Sequence, residues 1–196
     1  MRVSDDRYTR DRQRLDLGLR LIRHEARTFT IHQWTGLSDD RIRKLYRSYV
    51  MQHDARHVLR HRGKSPRQAA FFFKSTEVNF QSVQLASLYV MFGLLCGTDA
   101  GIEARYRVGS LESGALLCQA YESYLALHVP ASISFEHAWF LLLALSRRDE
   151  VGISRCPLCG GVRLRDLLAR RKAACATCGP SPPMQWAAAL GGAAPC

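Results

Sequence analysis

Cysteine spacing carries the plainest chemistry in the chain. The runs RCPLCGG and ACATCGP place Cys156 with Cys159, and Cys175 with Cys178, as two CxxC pairs separated by fifteen residues. A two-residue spacer lets both thiolates of a pair face one ion, and two such pairs supply the four ligands of a tetrahedral site. The glycine after each pair, Gly160 and Gly179, frees the backbone to turn so that amide N–H groups point at sulfur. Zinc is the expected ion, with a single iron as the alternative that the same knuckles hold. Four thiolates fill the coordination sphere and leave no position for water, so one structural Zn2+ is expected and hydrolytic chemistry is not. A dithiol switch would need only one pair beside a thioredoxin-like pattern, which is missing. Between the pairs, Arg163, Arg165, Arg170, Arg171 and Lys172 face a single Asp166, a set that could follow a phosphate backbone or form a solvated basic face. Cys96, Cys118 and Cys196 read as structural or incidental.

A second constellation lies upstream, in TIHQWTGLSDDRIRKLYRSYV. Its layout is two helices joined by a tight turn: Gly36 supplies the turn, Ile31 and Leu37 pack between the helices, and Ser38 caps the second, with Asp39 and Asp40 on its positive end. Ile42 and Leu45 then face inward. Arg41, Arg43, Lys44 and Arg47 fall on or beside the outward face, where a recognition helix presents cations to the major groove. From Arg41 to Arg67 the chain has nine Lys or Arg and one acidic residue, Asp54, so Arg56, Arg60, Arg62 and Lys64 extend the same footprint. His53, His57 and His61, four apart, would share a helix face, but Arg56, Arg60 and Arg62 would repel a divalent ion there, and surface histidines near DNA are the simpler reading.

These residues need a body to position them. The 196 residues are 47% hydrophobic, enough for one core of ordinary size and a small module, and the 28 Lys and Arg against 17 Asp and Glu give +11. Arg dominates, so a polyanionic partner is the leading expectation. Helical periodicity from about Leu15 to Arg60 predicts two or three helices, and RHRGKSPRQ, with Gly63 and Pro66, predicts a loop. Val78 to Leu95, Ala115 to Leu127 and Ser134 to Leu145 predict further helices, the last started by Ser134 and Glu136 and the breaks falling near Gly97 to Gly101, Gly109 to Gly114 and Pro130. The expected fold class is mainly α: a helical body over 1–147 containing a helix-turn-helix-like segment, a four-cysteine zinc module over 148–180, and a flexible tail over 181–196. MRVSDDRYTRDRQR has no apolar stretch of the kind a secretory signal needs, and the greasiest runs are too short to span a bilayer, so a cytoplasmic protein without a membrane partner is expected.

The order of these parts resembles the FlhC family, the C subunit of the bacterial flagellar master activator. LSDDRIRKLYRSY, the Gly63 to Pro66 loop, GLLCGTDAGIEARYR, and AWFLLLALSRRDEVGISRCPLCG followed by CATCGP carry the resemblance, from about Leu15 to Pro180. It implies a mostly helical, non-enzymatic transcriptional activator that joins a small helical FlhD-like subunit in a hetero-oligomer, binds double-stranded promoter DNA of flagellar class II genes, and recruits RNA polymerase. The family's zinc cysteines fall on Cys156, Cys159, Cys175 and Cys178. The Ala-rich tail ending in Cys196 departs from the polar, basic tail expected of the family. The apolar FFFKS, Phe71 to Ser75, reads as a partner surface or as core.

Two other classes compete. A zinc-stabilised adaptor for protein or RNA would share the cysteines and the charge and lack promoter selectivity. An enzyme would need a paired carboxylate motif, a phosphate loop or a nucleophile elbow, and none is found.

Overall fold

The computed structural model describes residues 2–53, 58–61, 63–98, 101–169, 175, 178 and 179, with the side chains of 2–6, 50–53, 98 and 101 excepted. The described residues form six α-helices, one short 3-10 helix and two antiparallel hairpins. In chain order these are α1 (Arg2–Arg23), α2 (Thr28–Thr35), α3 (Asp39–His53), the 3-10 turn (Ala69–Phe73), α4 (Thr76–Met91), β1 (Leu95–Thr98), β2 (Gly101–Ala104), α5 (Leu111–Leu127), α6 (Phe135–Arg147), β3 (Val151–Arg155) and β4 (Val162–Asp166). The mainly helical class is as expected. No helix among the described residues is long and apolar enough to cross a membrane.

The first three helices pack through α1, which touches α2, α3 and α5. Helix α1 starts at Arg2, well ahead of Leu15, and stops without a glycine. Glu25 takes the left-handed conformation at φ 58°, and the Ala26 and Glu25 amides donate to the Leu21 and Ile22 carbonyls in the paired pattern of a Schellman end. Helix α4 ends the same way four residues before the expected Leu95. Gly93 is left-handed, Leu94 N–H donates to Tyr89 and Gly93 N–H to Val90, and the chain then turns into the β1–β2 hairpin. Gly114, expected near a helix break, instead lies inside α5 where the helix crosses α1: a Cβ there would sit 2.8 Å from Leu17 Cδ2 and 3.2 Å from Trp34 Cε3.

Trp139 meets Trp34 and Tyr106 edge-on in the core, with centroids 4.8 and 5.7 Å apart, while Trp34 and Tyr106 are tilted at 46°. Such aromatic pairs add directional attraction to the burial of large apolar areas. The three phenylalanines of FFFKS pack on this core while Lys74 and Ser75 are exposed: Phe72 is fully buried, and Phe71 stacks on His137 at 3.7 Å. Helix α6 begins where expected, with Ser134 Oγ accepting the His137 N–H.

The cysteine-bearing region is rooted in the same core. Strands β3 and β4 pair with Val151 opposite Asp166 and Ile153 opposite Leu164, a hairpin not anticipated from the sequence. Val151 and Leu164 join the helical core cluster, and β4 packs on α4 and the 3-10 turn.

Candidate metal centre and basic face

The hairpin delivers the first knuckle at its tip. Cys156 follows β3 directly, its N–H donating to the Gly161 carbonyl at 2.8 Å, while Gly160 N–H donates back to the Cys156 carbonyl at 2.9 Å. The second knuckle shares the glycine's return bond, Gly179 N–H donating to the Cys175 carbonyl at 2.9 Å, while Cys175 N–H donates to the Gly179 carbonyl at 3.1 Å. Gly160 and Gly179 sit at φ 69° and 80°, where a side chain is strained, which explains the glycine after each pair.

The four sulfurs converge. Cys156 and Cys178 Sγ are 3.6 Å apart, Cys159 and Cys175 Sγ 3.8 Å, and all four lie within 4.8 Å of one another. Sulfurs about 2.3 Å from a common tetrahedral centre stand about 3.8 Å apart, so the residues fit a four-thiolate metal site. One cysteine of each pair, Cys156 and Cys175, is buried, and the other, Cys159 and Cys178, is exposed. Backbone amides of Cys159 and Leu158 point at the Cys156 sulfur and hold its pKa below the ordinary thiol value. The sulfurs of Cys156 and Cys175 crowd Cys178 and push its pKa up to about 12. Without a cation the last thiolate therefore forms reluctantly, and a divalent ion relieves that repulsion. Of the basic residues between the pairs, Arg163 is buried on β4 and cannot follow a phosphate backbone, whereas Arg165 is exposed. Arg170, Arg171, Lys172, the 181–196 tail and Cys196 lie outside the described residues.

Compared with protein-family models, the chain matches none. No curated protein matches it either.

Upstream, α2 and α3 are joined as the spacing predicted. Gly36 closes α2 in the left-handed region at φ 68°, and Ile31, Leu37 and Ile42 are buried. Ser38 Oγ accepts the Arg41 N–H at 3.5 Å, and His32 Nδ1 lies 2.9 Å from the Leu37 carbonyl, which fixes the turn. Arg41, Arg43, Lys44 and Arg47 are all exposed. Arg41 reaches Asp11 at 3.8 Å and Arg43 reaches Asp40 at 3.0 Å, both exposed pairs that cost little to break. Lys44 and Arg47 have no acidic partner among the described residues.

Residues 58–61 are held against α3 and the chain entering α2. Tyr46 Oη donates to the Val58 carbonyl at 2.5 Å, Leu59 N–H donates to Glu25 Oε1 at 3.1 Å, and His61 Nε2 is 2.8 Å from Glu25 Oε2. Arg60 is thereby set above the Tyr46 ring, with a 3.4 Å contact to Thr28 Oγ1. The structure brings Arg43 and Arg60 to one open groove of about 590 Å³. Lys64 is exposed but borders the neighbouring cleft, near Arg23. Arg56, Arg62 and His57 lie outside the described residues, as does the side chain of His53. His61 is spent on Glu25, so the expected histidine face is not assembled at that end. Sequence reasoning missed Arg27, Phe29 and Glu25. The first two sit at a helix start and read as ordinary entry residues, and Glu25 acts through a fold-back that no local pattern encodes.

Proposed function

We propose that this chain is a DNA-binding transcriptional activator subunit of the FlhC type, cytoplasmic and non-enzymatic, acting with a small helical FlhD-like partner on class II flagellar promoters and recruiting RNA polymerase. The observation that carries the reading is the outward row Arg41, Arg43, Lys44 and Arg47 on α3, a helix whose inner side is pinned by buried Ile42 and by the Gly36 turn. A helix seated on its inner side, with outward cations that are unpaired or held only in exposed pairs among the described residues, suits the major groove, and Arg60 beside Arg43 suits the adjoining phosphates. The four-cysteine site holds one Zn2+ in a structural role. Bound there, the ion ties the two knuckles together, while Cys156 and Cys175 anchor it to the buried side and Cys159 and Cys178 close the exposed side.

The partner subunit has a suitable surface away from these cations. No charged residue occurs from Val78 to Thr98, and Phe80, Gln84, Ser87 and Met91 form a stripe at four-three-four spacing on the outer side of α4. That spacing is the seam on which a partner helix packs.

The test is co-purification with a candidate small helical subunit, followed by a footprint on promoter DNA. A protected, sequence-selective window on the duplex supports the reading. Binding of protein or RNA with no duplex selectivity overturns it in favour of a zinc-stabilised adaptor.

A further inference from the structure

Phe29 is 56% exposed in the first turn of α2 and takes no part in the core cluster. Its ring separates two openings. On one side is the 590 Å³ groove bordered by Arg27, Arg43, Arg60 and His32. On the other is a smaller cleft of about 170 Å³ whose rim includes Arg67 and Arg147, both exposed. Acidic groups nearby are few and mostly engaged. Asp39 lines the first groove, Asp40 pairs with Arg43, and Glu25 holds His61. Glu136, at the second cleft, accepts from the Arg27 N–H and Thr30 Oγ1.

We infer that a single-stranded nucleic-acid segment crosses this face, with one unpaired base stacked on Phe29 and the phosphates before and after it held by Arg43 and Arg60 on one side and by Arg67 and Arg147 on the other. An exposed aromatic ring flanked on both sides by guanidinium groups is the arrangement that grips a single strand: every base has a face to stack, and the backbone is tracked by charge. An acidic peptide would use the cations and leave the ring idle. A free mononucleotide would use one cleft only. Paired bases of a duplex are stacked on each other and cannot reach the ring, so the Phe29 contact is tested separately from the duplex reading, although Arg43 and Arg60 serve both.

The experiment is fluorescence anisotropy of a 5′-labelled eight-nucleotide oligothymidylate titrated with the full chain purified with zinc. Saturable binding is expected. It should weaken about tenfold in Phe29→Ala and persist in Phe29→Trp, since stacking supplies the base contact. Arg67→Gln should weaken binding and flatten its salt dependence. Duplex affinity, measured in parallel, should be the same in Phe29→Ala as in the wild type, which keeps the two readings separable. Phe29 is exposed, so its variants leave the core intact, and circular dichroism checks this. An unchanged oligonucleotide affinity in Phe29→Ala overturns the proposal. So does displacement of the oligonucleotide by pyrophosphate as effective as by AMP, which reduces the groove to an anion site. AMP binding as tightly as the oligonucleotide also overturns it, in favour of a free nucleotide.

Discussion

The carboxylate of Glu136, in the first turn of α6, accepts the backbone N–H of Arg27 at 2.8 Å and the hydroxyl of Thr30 at 3.1 Å. Helix α2 has no side-chain cap of its own at Arg27, so a residue more than a hundred positions away supplies it. This ties the α2–α3 pair to the rest of the core and fixes how α3 is presented. Glu136→Ala should cost about 2 kcal/mol of stability, because a helix start and a buried hydroxyl both lose their acceptor. Glu136→Gln, which keeps an acceptor, should cost about half as much. Urea denaturation checks both, and equal losses in the two variants would show that the cap is not the source.

Gly114 gives a sharper steric test. With Leu17 Cδ2 2.8 Å and Trp34 Cε3 3.2 Å from a Cβ at this site, Gly114→Ala should destabilise by about 1–3 kcal/mol through overpacking, despite the higher helix propensity of alanine. Thermal melts of Gly114→Ala beside Gly97→Ala, whose Cβ meets nothing within 4 Å, separate crowding from a general effect of adding a methyl group.

Stability should fall with acid in two stages. Burial lowers the pKa of His24, and also those of His137 and His128, below the ordinary 6.5. Hydrogen bonds from Arg20 at 2.7 and 2.5 Å, joined by His24 at 2.9 Å, hold Glu122 below its ordinary 4.5. In every case the fold takes up its proton at lower pH than the unfolded chain does. The unfolded state therefore gains as pH drops, first below about 6.5 and again below about 4.5. Urea midpoints near neutral pH, near pH 5.5 and near pH 4 should decline in that order, and Glu122→Gln should flatten the lower stage. A midpoint independent of pH across this range would contradict the assignment.

Much of the site was legible in the sequence because its chemistry is local. The two CxxC pairs with their glycines, the Gly36 turn and the Ser134 start each depend on residues within a few positions, and each is found where the spacing puts it. What was not legible depends on distant contacts or on backbone choices without a residue signature. The end of α1 at Glu25 uses a left-handed glutamate where glycine is the usual marker. The run Val78 to Leu95 is uncharged throughout and apolar from Leu88 on, so nothing in it marks a stop at Met91, and the stop is made by the Schellman pairing around Gly93. The β3–β4 hairpin is short and basic, with Val151 and Leu164 as its buried apolar residues, and it holds because they enter a core built by other elements.

Removing the metal should loosen the knuckles more than the hairpin beneath them. Cys156→Ser, or chelation of the wild type, should abolish zinc binding and open the chain to protease between 156 and 178, while Val151 and Leu164 keep the base of the hairpin on the body. Metal analysis with limited proteolysis and mass mapping reads this. A chain that is metal-free as purified and equally resistant would refute the structural role of the site.

The central claim, that the outward side of α3 binds duplex DNA, is tested most directly by the salt dependence of promoter affinity in the Arg43→Ala, Arg47→Ala double variant. The predicted result is a folded protein whose affinity drops about tenfold or more and whose log–log salt slope shrinks in magnitude by about 1 to 2, as expected when two cations no longer displace counterions from the duplex. Affinity and slope both equal to those of the wild type would contradict it.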